Sequence, residues 1–156
     1  FAARGYSYDV RQLKDLIIAA VKHKGLAFLD VLQPCPTYND INTKDWFSGE
    51  DRIDETTKKP MPRIYKLEDT DYDPVVHYSD ETELNQKKTQ AIVKSLEWDS
   101  KIPTGIFYKN ELITPYTRRI TDKIPNYLEN PSSSQKISRD GKSITNITSI
   151  LDSLDV

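Results

Sequence analysis

Gly25-Leu-Ala-Phe-Leu-Asp-Val-Leu-Gln-Pro-Cys-Pro-Thr-Tyr-Asn39 is the stretch on which the fold turns. Leu26 to Gln33 is apolar except for Asp30 and Gln33, too short a run for an ordinary helix. It reads as a strand buried on both faces, as in a parallel sheet. Pro34 has no N–H to give to a ladder, so the strand ends there and the chain turns at its carboxyl end. Ligands of open α/β sheets bind at that end of the strands, which puts Cys35 where chemistry is commonly done. Position alone leaves two readings of Cys35, a site residue or a small buried hydrophobe.

Working outward, the preceding segment is helical. Val10, Leu13, Leu16, Ile17, Ala20 and Val21 recur at helical spacing between about Asp9 and Lys24. Ser7 or Asp9 can cap its start, and Lys22, His23 and Lys24 place positive charge at its end. Gly25 fits the left-handed C′ position that closes many helices. Residues 1–8 read as the exit of an element with Gly5 as its break. Helix, glycine and buried strand make half of a βαβ unit. Phe1-Ala-Ala-Arg-Gly5 has no methionine and no polar lead-in, which suggests a fragment or one product of a longer chain.

Residues 40–78 carry charges, aromatics and prolines without a sustained period. So long an irregular stretch is often functional or packed on a partner. Trp46, Phe47, Tyr65, Tyr72 and Tyr78 read as anchors onto a surface. Met61 to Leu67 contains a short edge strand. Asp80 to about Trp98 forms a second helix with Asp80 and Glu83 at capping-box spacing and a narrow stripe of Leu84, Ala91, Ile92 and Leu96. Thr104 to Tyr108 is a strand entered through Pro103. Residues 109–140 are irregular, with Pro115, Pro125 and Pro131 and a flexible link at Ser132–Ser134. Ile144, Ile147, Leu151 and Leu154 define a last amphipathic helix, with Ser143 or Thr145 near its start, which must dock on something.

The 156 residues are 37% hydrophobic, enough for one modest domain, although only five glycines argue against a self-contained α/β domain. With 22 Lys+Arg against 24 Asp+Glu the net charge is −2, and no basic block stands out. Neither a nucleic-acid nor a membrane partner is therefore expected. No run reaches the ~18 apolar residues of a membrane span, and no signal peptide is visible. One cysteine forms no internal disulfide, which makes a reducing, cytoplasmic setting the default. Asn146-Ile-Thr148 matches a glycosylation acceptor, a triplet that also arises by chance. His23 and His77 sit in no metal-binding pattern, and His23 reads as a charge partner for a helix end. Asp30, mid-strand among apolar residues, needs a partner if buried. The residues alone offer one distinctive position, Cys35, and no complete catalytic set.

His23-Lys-Gly-Leu-Ala-Phe-Leu-Asp-Val-Leu-Gln-Pro-Cys-Pro-Thr-Tyr-Asn39 resembles a signature in the C-terminal half of the beta subunit of 2-oxoacid:ferredoxin oxidoreductases. Phe1-Ala-Ala-Arg-Gly5 and the helix after it are similar to the same region. Ile102-Pro-Thr-Gly-Ile-Phe-Tyr108 resembles a weaker feature near the family's C-terminus. The resemblance spans residues 1–42 closely and 63–116 loosely; 117–156 reads as an extension without a match.

The resemblance implies an α/β fold, the C-terminal part of a thiamine-diphosphate-binding fold with a parallel sheet flanked by helices, and a loop-rich extension. It divides the chain into 1–42, the end of that domain with the cluster-ligand loop, 43–116, and 117–156 with the terminal helix. It implies a share in oxidative decarboxylation of 2-oxoacids to acyl-CoA and CO2, with reduction of ferredoxin. Cys35 becomes a ligand of a 4Fe–4S cluster. Backbone N–H groups at Thr37, Tyr38 and Asn39 become donors to the cluster's sulfurs. Such a cluster takes four cysteines and this chain has one. The motif that holds Mg²⁺ and thiamine diphosphate is also absent, so no catalytic residue is expected here and the fragment alone is expected to be inactive. The implied partners are the N-terminal half of the beta subunit, an alpha subunit in a heterodimer or dimer of heterodimers, ferredoxin, the 2-oxoacid and coenzyme A. The competing class is a non-enzymatic α/β interaction module whose loops and terminal helix wrap a partner subunit.

Overall fold

The computed structural model describes residues 1–124, 126–144 and 146–154, apart from the side chains of Ser149 and Ile150. Pro125, read above as loop punctuation, and Thr145, read as a possible helix start, lie outside the described residues. The chain forms two compact units, 1–115 and 116–156.

In the first unit, β1 (Ala2–Tyr6), α1 (Val10–Lys22) and β2 (Phe28–Leu32) form a strand–helix–strand crossover. β1 and β2 pair in parallel, from Ala2 opposite Phe28 to Tyr6 opposite Leu32. A parallel pair needs such a crossover, because a tight turn cannot join the two strands. Asp9 caps α1 as expected, its carboxylate accepting the Gln12 backbone N–H at 3.1 Å. Lys66 holds the same carboxylate at 2.6 Å, tying the helix start to the far side of the sheet. Leu16 of α1 is buried against Phe1 and Ala3, with Ala20, Leu29 and Ile106 around them. Burial of one such leucine contributes about 2 kcal/mol.

Three expectations for this crossover change. Gly5 does not break β1 but lies inside it, where a Cβ would stand 2.8 Å from Leu13 Cδ1. A glycine there lets α1 pack close to the strand. The helix ends at Lys22 with His23 already extended, so Gly25, with φ of +137°, shapes the approach to β2 instead of closing the helix. The strand after it is not buried on both faces: Phe28 is 64% and Val31 43% exposed. The reason is its place. In the strand order β2-β1-β4-β3, β2 is an edge, and its outer backbone groups meet no neighbour among the described residues.

The segment after β2 contains α2 (Lys44–Ser48), then β3 (Ile64–Lys66), the short edge strand expected within Met61–Leu67, and a 3₁₀ turn at Leu67–Asp69. α3 (Glu81–Ser95) and β4 (Ile102–Tyr108) complete the first unit's regular structure. β3 and β4 run parallel, whereas β1 and β4 run antiparallel. The α/β sheet flanked by helices is thus borne out, with mixed pairing in place of a wholly parallel one. Along β1, Ala3 faces α1, and the alternate residue Arg4 donates to the Ser95 carbonyl at the end of α3. The two helices therefore cover opposite faces.

Asp80 caps α3 by accepting the Glu83 N–H at 2.9 Å. The Glu83 carboxylate accepts instead from the backbone N–H groups of His77 and Tyr78, so the reciprocal half of the expected box is absent. The stripe on α3 is also shallower than its spacing suggests, with Ile92 and Leu96 exposed. A second core of Tyr6, Phe47 and Ile102 closes the other end of the sheet, with Leu32, Trp46 and Ile64 around it. Arg63 is buried beside it, paired to both carboxylate oxygens of Asp51 at 2.6 and 2.7 Å and stacked on Trp46. The aromatics of 40–78 thus pack largely inward: Tyr72 donates to the Phe107 carbonyl and Tyr65 to Glu97. Tyr78 remains exposed.

In the second unit, α4 (Tyr116–Thr121), a 3₁₀ turn at the serine run, β5 (Ser138–Arg139), β6 (Lys142–Ser143) and α5 (Thr148–Leu154) follow in order. β5 and β6 form an antiparallel hairpin around Asp140 and Gly141, both at positive φ, which suits an Asp-Gly turn. The last helix is shorter than its apolar spacing suggested. Ile144 and Ile147 precede it, Ser143 lies in β6, and Asn146 Oδ1 accepts the Thr148 N–H. Ile137, Leu128 and Leu154 are all exposed, and no described residue of this unit is buried.

Asp73 illustrates how the long segment is held. Its carboxylate accepts from Lys87 Nζ at 2.6 Å, from the Val75 N–H at 3.0 Å and contacts His77 Nε2 at 2.9 Å. The Lys87 contact foremost holds the carboxyl well below its ordinary range. A carboxylate depressed on folding stabilises above its unfolded pKa and loses that contribution as pH falls through the folded value. Asp73→Asn is therefore expected to lower the thermal midpoint at pH 7, with the gap to wild type closing as the pH drops below about 4. A thermal melt series from pH 7 to pH 2.5 reads this.

Candidate functional site

Because β1 and β2 are parallel, their carboxyl ends lie on one edge of the sheet. The last rung there is the Ser7 N–H donating to the Leu32 carbonyl at 2.9 Å. Beyond it the chain leaves the sheet through Gln33 and Pro34, as the proline demands. Cys35 follows, free and exposed. The buried-hydrophobe reading of this cysteine is thereby overturned: the turn carries it outside both cores.

The turn is closed from within. The Cys35 carbonyl accepts from the Tyr38 N–H at 3.2 Å and from the Asn39 N–H at 2.8 Å. Asn39 then bends the chain the other way, its Oδ1 accepting from the Ile41 and Asn42 N–H groups at 3.0 and 2.9 Å. Its Nδ2 donates to Asn42 Oδ1 at 2.9 Å. Thr43 next caps α2 by accepting the Trp46 N–H. Thr37, Tyr38 and Asn39 are all exposed, with Tyr38 at 92%. Two of the three amide donors expected to face a cluster are thus engaged with Cys35 itself, which leaves Thr37 N–H as the candidate. The Asn39 and Asn42 side chains do not stand out in the sequence, although an asparagine two residues before the amide it accepts is a familiar turn device.

The other sequence candidates lie elsewhere. Asp30 has the partner it needed, Arg4 Nε at 2.8 Å. His23 is no simple charge partner for the helix end. Its side chain is buried, and burial pushes its pKa down, which favours the neutral ring. His77 binds Asp73. Among the described residues, no group of three or more His, Cys, Asp or Glu is placed to hold a metal ion. A cavity of about 490 Å³ opens between α1 and the 3₁₀ turn, lined by Gln12, Leu16, Glu68 and Ile106. No residue of the cysteine turn borders it. In chemical terms, the exposed edge offers one soft, accessible thiol on a preformed turn. It can supply one ligand to a metal group and cannot by itself complete one.

The fold is a mixed α/β sheet flanked by helices, with a cysteine turn at the carboxyl ends of its parallel pair. Residues 35–123 match the family described as the C-terminal region of the pyruvate ferredoxin oxidoreductase beta subunit. The chain belongs to the 2-oxoacid:ferredoxin oxidoreductase beta-subunit family. It is 47% identical over 152 residues to the 2-oxoacid:ferredoxin oxidoreductase subunit beta of Saccharolobus solfataricus, covering 97% of this chain and 45% of that protein. With the subunit beta of a Sulfolobus sp it shares 50% over 155 residues, covering 99% and 45%. The chain thus spans less than half the length of these curated relatives. The structure of 2-oxoglutarate:ferredoxin oxidoreductase from Magnetococcus marinus, which holds 2-oxoglutarate, coenzyme A and succinyl-CoA, has the same fold over 99% of this chain and 40% of its own. The TM-score is 0.53 at 19% identity.

If Cys35 is as accessible as its position indicates, Ellman's reagent should titrate one thiol per native chain. The rate should be close to that in denaturant. A native thiol that reacts only after unfolding would contradict the exposed turn.

Proposed function

We propose that this chain helps form an enzyme that oxidatively decarboxylates 2-oxoacids such as pyruvate or 2-oxoglutarate, and that Cys35 provides one ligand of its 4Fe–4S cluster. The overall reaction is 2-oxoacid, coenzyme A and two oxidised ferredoxins giving acyl-CoA, CO2, two reduced ferredoxins and a proton. The observation that carries the reading is the exposed Cys35 thiol in its Gln-Pro-Cys-Pro-Thr-Tyr-Asn turn, at the carboxyl end of a parallel strand. The donor chemistry fits: such clusters are held by thiolates, and this thiol is unpaired and open.

When bound, thiamine diphosphate with Mg²⁺ supplies the nucleophile and electron sink, and the cluster carries electrons singly. This chain's residues do something narrower. Pro34 ends β2 and aims the chain away from the sheet, Cys35 presents its sulfur, and the Thr37 N–H is left to donate nearby. The remaining three thiolates and the diphosphate site belong to other polypeptide, on this reading the N-terminal half of the beta subunit. The exposed apolar residues of β2, with its unpaired outer edge, support that placement, because burying an open edge prevents indiscriminate strand pairing. The exposed apolar residues of the second unit support packing on an alpha subunit. Among the described residues no helix is long and apolar enough to cross a membrane, and we place the enzyme in the cytoplasm.

Cys35→Ser in the complete beta subunit, purified anaerobically with its alpha subunit, should abolish the visible iron–sulfur absorbance and lower the bound iron. Full iron and sulfide content with an unchanged spectrum would remove Cys35 from the ligand set.

A further inference from the structure

The hydrogen bonds that shape the cysteine turn are local. Those of residues 35–42 described above all close within the segment. Two meet at the Cys35 carbonyl and three at the Asn39 side chain. Asn39 alone takes part in both sets, since its backbone N–H donates to Cys35 and its side chain binds Ile41 and Asn42. One residue therefore couples the conformation of the cysteine's own carbonyl to the path of the chain into α2.

We infer that Asn39 is the positioning residue of the cluster-ligand turn. It holds Cys35 in the ligating conformation before any metal group is bound. The inference rests on the reading of Cys35 as a cluster ligand, and it follows from the type of group at position 39. The side-chain oxygen satisfies two adjacent amides at once, an arrangement open to asparagine or aspartate and closed to alanine or leucine. The amide nitrogen adds the bond to Asn42 Oδ1, which only asparagine makes. Without the side chain, the Ile41 and Asn42 amides turn to water and the 35–39 turn loses its downstream brace. An exposed turn of eight residues has little else to hold it. A thiolate on a looser loop spends less time in ligating geometry, and the cluster it holds is lost faster and sits in a wetter environment.

The test uses the complete, cluster-loaded two-subunit enzyme with Asn39→Ala, Asn39→Asp and Cys35→Ser. Asn39→Ala should release iron to a chelator about tenfold faster, because the three side-chain hydrogen bonds it loses are exposed and are partly replaced by water. It should also shift the cluster's midpoint potential and broaden its electron paramagnetic resonance signal. Asn39→Asp keeps the double acceptor and should return all three most of the way to wild type. The global thermal midpoint should stay unchanged in both. If Asn39→Ala matches wild type in release rate, potential and spectrum while Cys35→Ser loses the cluster, the positioning role is wrong and the ligand assignment stands. Should Cys35→Ser keep a native spectrum, the ligand assignment itself falls, and the inference with it. A failure of Asn39→Asp to rescue would equally overturn the double-acceptor argument.

Discussion

The parallel ladder between β1 and β2 is the constraint from which the rest follows. Parallel strands demand a crossover, and α1 supplies it by burying Leu16 over Ala3 while Gly5 lets the helix approach. The same ladder brings two carboxyl ends to one edge of the sheet and ends at the Ser7–Leu32 hydrogen bond. Pro34 then forces the chain outward at that edge, and Cys35 is delivered there. Reversal of β2 would send the cysteine turn to the opposite end of the sheet. Site placement is in this sense a property of topology, with the local turn refining it.

Much of this is legible in the residues alone. The period of Val10 to Val21 marks α1, the Asp9 and Asp80 caps are readable, and Pro34 gives the end of β2. Asp30 declares its need for a partner by standing among apolar neighbours, and Arg4 meets it. The burial of β2 is misjudged from its pattern for a physical reason. A run such as Phe28–Leu32 carries the pattern of an interior strand, but pattern records what the strand is built to contact, not what this chain supplies. On the proposed placement beside the rest of a beta subunit, its exposed faces and its interior-like composition agree.

Other features are hidden because they depend on partners distant in sequence. Nothing near Arg63 foretells its pairing with Asp51 and its stacking on Trp46, which turn an apparently irregular loop inward. The last helix is overestimated because Ile144 and Ile147 share its spacing without its backbone, the hairpin and Asn146 taking up that part of the chain. The cysteine turn falls between these cases. Its two prolines announce a turn, whereas the asparagine brace at Asn39 becomes visible only from the geometry.

On the proposed function, this chain's β2 edge and Cys35 turn are half of an interface that the rest of a beta subunit completes. Hydrogen–deuterium exchange compares the isolated chain with the same residues in the cluster-loaded two-subunit enzyme. If that interface forms, the Leu29 and Val31 amides, which point away from β1, and those of the Cys35–Asn42 turn should exchange quickly in the isolated chain and become strongly protected in the assembly. Equal, rapid exchange of both segments in the two states would contradict it.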